Sequence, residues 1–177
     1  NKEKIVIIPP FVLSDCEKET KKRLDALREN GFTKALAHTL GHAYLLKKHG
    51  FTVLGGFRMN VLNGLSARVC ENFGFEDITL SFEGTAQKLS EISCGIPRGI
   101  IAYGRLPLMI MRRCPLADGS ACGMKTPFGE GKSCGGAIFD RLGNKIPVQC
   151  GGNSVELLNP DVLVMSDKRE ILGKFDF

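Results

Sequence analysis

Over the first 110 residues the apolar positions switch repeatedly between two spacings. KIVIIPP is a continuous β-branched run, the pattern of a buried strand. SDCEKETKKRLDALRENG follows it, with Ser14 or Asp15 placed to cap, acidic residues early, Leu24 and Leu27 at helical spacing, and a stop at Gly31. The alternation continues with FTKALAHT as strand and LGHAYLLKKHG as helix, then FTVLGGFRMNV as strand and NGLSARVCENFGF as helix. DITLSF predicts a strand and GTAQKLSEIS a short helix, and RGIIAYGRLPLMIMRR closes the series as a strand.

Five strands separated by four helices, at about 25-residue spacing, predict parallel strands in βαβ units. An eight-stranded (β/α) barrel of the TIM type repeats at this spacing, and five units are too few to close one. The expected fold class is therefore α/β: the latter part of a barrel or a small open sheet over residues 1–113. From Cys114 the texture changes. CPLADGSACGMKTPFGEGKSCGG has no period and is rich in Gly and small residues, so it predicts loop. AIFDRLGNKIPVQC reads as a hairpin turning at Leu142-Gly143-Asn144, and SVELLNPDVLVMSD supplies one more strand. Residues 114–177 are expected to form a small Cys-rich β appendage.

Composition narrows the classes. The chain has 177 residues with 43% hydrophobic and 24% charged side chains, values of a globular protein. No run of 18 apolar residues occurs, so no membrane span and no membrane partner are expected. No signal-peptide pattern opens the chain, and a start at Asn1 rather than Met points to an excised piece. Residues 1–113 carry 17 Lys+Arg against 11 Asp+Glu, whereas residues 114–177 carry 7 against 8. The basic half permits an anionic partner such as RNA, although solvated helix faces such as Lys18–Lys22 explain it as well.

Seven cysteines, an odd number without secretory context, argue for a reducing cytoplasm and for metal-bound or buried thiols. Cys16, Cys70 and Cys94 fall on or near helices and read as small buried hydrophobes. Cys114, Cys122, Cys134 and Cys150, separated by 7, 11 and 15 residues, sit in a segment with too few apolar side chains to order itself by burial. Four thiolates on one centre would supply that order. No C-x2-C knuckle of the kind zinc favours is present, which tilts the expectation towards an iron–sulfur cluster over zinc. Two disulfides or free thiols are the alternatives.

The residues that carry a resemblance are YGRLPLMIMRRCPL (103–116), the spaced cysteines, FDRLGNKIPVQC (139–150) and ELLNPDVLVMSDK (156–168). Together they resemble the U32 peptidase family, the collagenase-like peptidases. ITLSFEGTAQKLSEI (78–92) resembles the strand–helix that precedes this motif in that family. The resemblance spans essentially the whole chain and is sharpest over residues 78–165. It implies a (β/α) barrel whose amino-terminal strands are absent from this chain, and a peptide substrate. Some members resemble iron–sulfur proteins that assist hydroxylation of RNA or quinone precursors. On that analogy Cys114, Cys122, Cys134 and Cys150 would hold a 4Fe-4S cluster and RNA would be the substrate.

In a barrel the working residues lie at the carboxyl ends of strands, which selects His38, Asn60, Glu83, Tyr103 and Arg105 as catalytic candidates. Arg105, after Gly104, can clamp a carboxylate or phosphate through two parallel hydrogen bonds, or pair with Glu83. Glu83 can act as a general base or as the acid at a helix start. Asn60 can cap the following helix. His38, with His42 behind it, also fits a core or rim histidine. FGEGKS (128–133) lacks the phosphate-loop glycine, since Thr126 stands at that position. H-E-x-x-H and G-x-S-x-G are both absent, so zincin and serine-elbow hydrolases are excluded. An incomplete barrel also leaves open sheet edges, which predicts self-association of the isolated chain.

Overall fold

The computed structural model describes residues 4–12, 14, 16–116, 136–150 and 154–177. The chain forms two compact units: one from residues up to Ile8, Glu17–Ala102 and Met165–Phe177, the other from Pro9–Cys16 and Tyr103–Val164. The change of texture at residue 113 and this division do not coincide, because the strand before Cys114 belongs to the second unit.

The first unit carries the predicted alternation. Strands β1 (Ile5–Ile7), β2 (Lys34–Ala37), β3 (Thr52–Gly55), β4 (Asp77–Thr79) and β5 (Arg98–Gly99) form one sheet in sequence order, every pair parallel. Helices α1 (Glu17–Glu29), α2 (Leu40–Lys48), α3 (Gly64–Phe73) and α4 (Ala86–Ser90) fill the crossovers. Cap chemistry sets their starts. Thr39 Oγ1 accepts from His42 N–H, Asn63 Oδ1 from Ser66 N–H and Thr85 Oγ1 from Lys88 N–H. Asp15, one of the two residues read as the cap of α1, lies outside the described residues.

The register puts Val6, Ala35, Val53 and Ile78 on one face of the sheet. All four are buried in a single cluster with Leu24 of α1, Ala43 and Leu46 of α2, Ala67 and Cys70 of α3, and Leu89 of α4. Every one of the four helices therefore packs on the same face, as right-handed crossovers between sequentially ordered strands require. On the opposite face Ile5 and Ile7 are 45% and 66% exposed, and the buried Leu54 stands outside that cluster.

The expected closing strand over residues 98–111 is not one strand. It breaks into β5, β6 (Tyr103–Gly104) and β7 (Pro107–Met111). Gly104 adopts φ +127°, which a side chain would resist, and Pro107 has no N–H for a ladder bond. Only β5 continues the parallel sheet. Its outer edge is taken by the C-terminal residues: Asp176 N–H donates to Arg98 O (2.9 Å), Asp176 Oδ2 accepts from Arg98 N–H (2.9 Å), and Phe177 O accepts from Ile100 N–H (3.4 Å). Helix α5 (Arg169–Leu172) precedes that tail.

The second unit is antiparallel. Strands β8 (Gly136–Phe139), β9 (Lys145–Cys150) and β10 (Val155–Leu158) join β7 in the order β7-β10-β9-β8, and β11 (Leu163–Val164) pairs with β6. The β8–β9 hairpin forms where expected, but Asp140 organises its turn. One carboxylate oxygen accepts from Leu142 and Asn144 N–H (2.8 and 2.9 Å), and the other from Asn144 Nδ2 (2.8 Å). These bonds hold the Asp140 carboxyl below its usual pKa. Among the described residues the core of this unit comprises only Val148, Val155 and Leu157, flanked by partly buried Met111, Cys114, Ile138, Ile146 and Cys150. No helix among the described residues is long and apolar enough to cross a membrane.

Candidate functional site

At the carboxyl ends of β2, β3 and β4 the chain leaves the sheet with chemistry-bearing residues. In parallel α/β sheets this edge is where ligands are held, because crossover loops and helix N-termini converge there. β2 delivers His38, 6% exposed, directly before the α2 cap Thr39. β3 ends at Gly55-Gly56 and turns through a 3-10 helix (Phe57–Met59) to Asn60. β4 leads to Ser81 and Glu83.

Gly56 leaves little room for a side chain here. A Cβ at this position would lie 3.1 Å from His38 Nδ1 and 3.2 Å from Ala37 O. The backbone of the β3 turn thus closes over the imidazole. The His38 ring lies edge-on to Phe57 (6.4 Å between centroids) and to His42 (6.3 Å), and Phe57 leans on Phe82 (5.6 Å). The Arg58 guanidinium stacks over Phe57, 4.9 Å from its centroid.

Burial, then Arg58, then His42 push the His38 pKa down to about 4, and burial lowers that of His42 as well. Both rings are neutral at pH 7, and the Nδ1 atom of each is buried without a hydrogen-bond partner. Buried polar atoms nearly always have a partner, so this pair is unusual.

Asn60 does not cap the next helix. It sits at φ +53°, in the left-handed region, and its Oδ1 accepts from the buried Ser81 hydroxyl (2.6 Å) while Asn63 takes the cap. Ser81 Oγ in turn accepts from Glu83 N–H (3.2 Å), so Asn60, Ser81 and Glu83 are tied into one network. Glu83 stands before the Thr85 cap and outside α4. Beside this network a cavity of about 380 Å³ opens between β2, the β3 turn and α3, lined in part by His38, Arg58, Met59 and Cys70. Burial raises the Cys70 thiol pKa, with Cys94 adding to the effect, so this cysteine behaves as a small hydrophobe.

The structure brings three of the five catalytic candidates, His38, Asn60 and Glu83, to one edge of the first unit. Tyr103 and Arg105 belong to the second unit. Tyr103 is 75% exposed. Arg105 Nη1 donates to the backbone carbonyls of Asn159 (2.9 Å) and Pro160, which fastens the β6–β7 corner to the segment after β10. Sequence reasoning did not select Arg58 or Ser81. The Gly-Gly pair at the end of β3 was the signal that could have found Arg58, since it marks the true strand end.

Of the four cysteines expected to share a centre, Cys122 and Cys134 lie outside the described residues. Cys114 and Cys150 are both half-buried against the same small cluster of Val148, Val155 and Leu157. Cys150 pairs with Val155, which pairs across the sheet with Met111, three residues before Cys114. The Ser154 hydroxyl beside Val155 is buried without a partner. Two thiols packed on one very small core are the part of the expected four-cysteine set that the described residues place. Among the described residues no group of three or more His, Cys, Asp or Glu is placed to hold a metal ion. The chain matches no family model, no curated protein and no solved structure.

Proposed function

We propose that this chain is part of a U32-type, collagenase-like peptidase protein: the latter part of a (β/α) barrel followed by a β unit stapled by a four-cysteine centre. Strand order supports the barrel. A doubly wound sheet reverses its order and carries helices on both faces, whereas β1 to β5 run in sequence with α1 to α4 packed on one face. The exposed Ile5 and Ile7 then face the barrel interior. Closure would require residues 176–177 to give up the β5 edge.

The observation that carries the metal site is the placement of Cys114 and Cys150 on one apolar cluster too small to hold the unit alone. Cys122 and Cys134 would complete the ligand set of an iron–sulfur cluster or of zinc. An iron–sulfur cluster, when bound, supplies one-electron chemistry. The working edge is the end of the parallel sheet with His38, Asn60 and Glu83; Arg105 and Tyr103 complete the candidate set. The substrate is a peptide, the compartment the reducing cytoplasm. Isolated chains would associate through the open β1 edge.

One observation favours a second reading, an iron–sulfur-dependent role in RNA modification on the same scaffold. The buried Ser81 hydroxyl donates to Asn60, and neither histidine Nδ1 bonds a hydroxyl or thiol, so no activated nucleophile is assembled among these residues. The basic character of residues 1–113 suits RNA.

Anaerobic purification with metal analysis and visible spectroscopy tests the centre, and a peptide-cleavage assay separates the readings. Bound iron with sulfide or bound zinc, lost together with peptide cleavage in Cys114→Ser, supports the first. Bound iron with no cleavage of any peptide supports the second. Metal-free protein made under anaerobic, metal-replete conditions overturns the four-cysteine centre in both.

A further inference from the structure

Two neighbouring helices of the first unit turn large apolar side chains to solvent. We propose that this surface, Leu40 and Tyr44 of α2 with Leu65 and Val69 of α3, is the contact between two copies of this chain related by a two-fold axis.

The four side chains form one ridge. Leu40 and Tyr44 stand one turn apart on α2, as do Leu65 and Val69 on α3. Leu40 and Val69 line the same cavity, which brings the two pairs side by side. Further along, Lys47 Nζ of α2 donates to Phe73 O of α3, so the helices stay together beyond the ridge. All four side chains are between 42% and 68% exposed. One exposed leucine is ordinary, but four large apolar groups on two adjacent helices make a patch. Helix α1 shows what a solvated helix face looks like in the same unit. Its exposed positions carry the pairs Lys21–Glu17 and Arg23–Glu19, each spanning one turn.

Charge and area together select the occupant. Lys47 is engaged with the Phe73 carbonyl and ring, and Lys48 acts on the Glu17 carboxylate of α1. Arg68 and Glu71 follow each other on the flank of α3 away from α2, where Glu71 Oε2 accepts from Gly95 N–H at 3.1 Å. The centre of the patch is therefore uncharged. Such a surface offers no grip to an anionic membrane or to a strongly charged partner, and it is complementary to itself. A standard interface takes about 800 Å² from each partner, somewhat over half of it apolar. The exposed parts of these four side chains come to roughly 400 Å², most of that apolar share. An axis through the groove sets α2 of each copy on α3 of the other. Tyr44 then meets Leu65 of the second copy, its ring serving as the large rigid anchor and its hydroxyl reaching the wet rim.

Sedimentation velocity from about 1 to 100 µM tests this, a range that covers the weaker interfaces of this size. The full chain carries Ile7→Lys, which charges the open β1 edge and removes association there. A monomer–dimer equilibrium is expected. Tyr44→Arg and Leu65→Glu, each added to that chain, should weaken the dimer about tenfold or more and leave the circular dichroism unchanged. Mixed together, these two variants should dimerise again. One of the two symmetric contacts then pairs the introduced guanidinium with the introduced carboxylate, while the other keeps Tyr44 against Leu65. A chain that stays monomeric at the highest concentration, a dimer that survives both substitutions, or a mixture that does not reassociate overturns the assignment. Should either variant fail to fold, the other and Val69→Glu decide.

Discussion

His38 shows how one side chain can tie the carboxyl edge of the parallel sheet to folding. Its folded pKa of about 4 lies below the unfolded histidine value, so between these limits the unfolded chain takes up a proton that the folded chain refuses. Stability therefore rises with pH across that window and is lost as pH falls through it; His42 acts in the same direction. Urea midpoints between about pH 7 and pH 4 should fall by an amount worth about 3 kcal/mol for His38. His38→Gln should flatten that part of the profile. Identical acid dependence in the variant and the parent would contradict the burial argument. Asn60 makes a second residue-scale case. Asn60→Ala loses both the Ser81 bond and a side chain tolerant of positive φ, whereas Asn60→Gly loses only the bond. Chemical denaturation should place Asn60→Ala about 1–2 kcal/mol below the parent and Asn60→Gly between them.

Elements explain what a reader of the sequence could and could not see. Strands β1 to β4 and helices α1 to α4 were legible because each has its own apolar period and a capping or stopping residue: Thr39, Asn63, Thr85, Gly31, Gly74. The run over residues 98–111 was not, since a continuous apolar stretch says nothing of where it bends, and the bend rests on Gly104 and Pro107. The same limit hid part of the site. Reading FTVLGGFRMNV as strand to its end places Arg58 in mid-sheet, although the strand stops at Gly55 and Arg58 lines a cavity. His38 and Glu83 could be placed at the ends of their strands because FTKALAHT and DITLSF overrun β2 and β4 by only two and three residues. The β5 edge yields a prediction at this scale. Gly99 leaves room for the Phe177 ring, with which a Cβ would collide, and Asp176 satisfies both backbone groups of Arg98. Removing residues 176 and 177, or Gly99→Val, should free a parallel edge and raise the apparent mass in light scattering. An unchanged mass in both would mean that the tail does not guard that edge.

For the whole molecule, the two units differ in how much each can hold itself together. The first buries a continuous cluster drawn from four helices and four strands, while the second has three fully buried apolar residues among those described. A core of that size rarely offsets the entropy of ordering its chain, and the proposed centre would supply the difference. The proposed four-cysteine centre therefore predicts unequal responses. Metal removal by a chelator under reducing conditions should increase amide exchange across β7 to β10 and leave β2 to β4 protected, because ligand binding stabilises only the unit that binds. Cys114→Ser and Cys150→Ser should reproduce that pattern, and Cys94→Ser, whose thiol donates to Ile96 O at 3.3 Å in the first unit, should not. Uniform loosening of both units would indicate a single cooperative fold. Protection of β7 to β10 that persists without metal would show that Val148, Val155 and Leu157 suffice, and the two half-buried thiols beside them would then be ordinary packing.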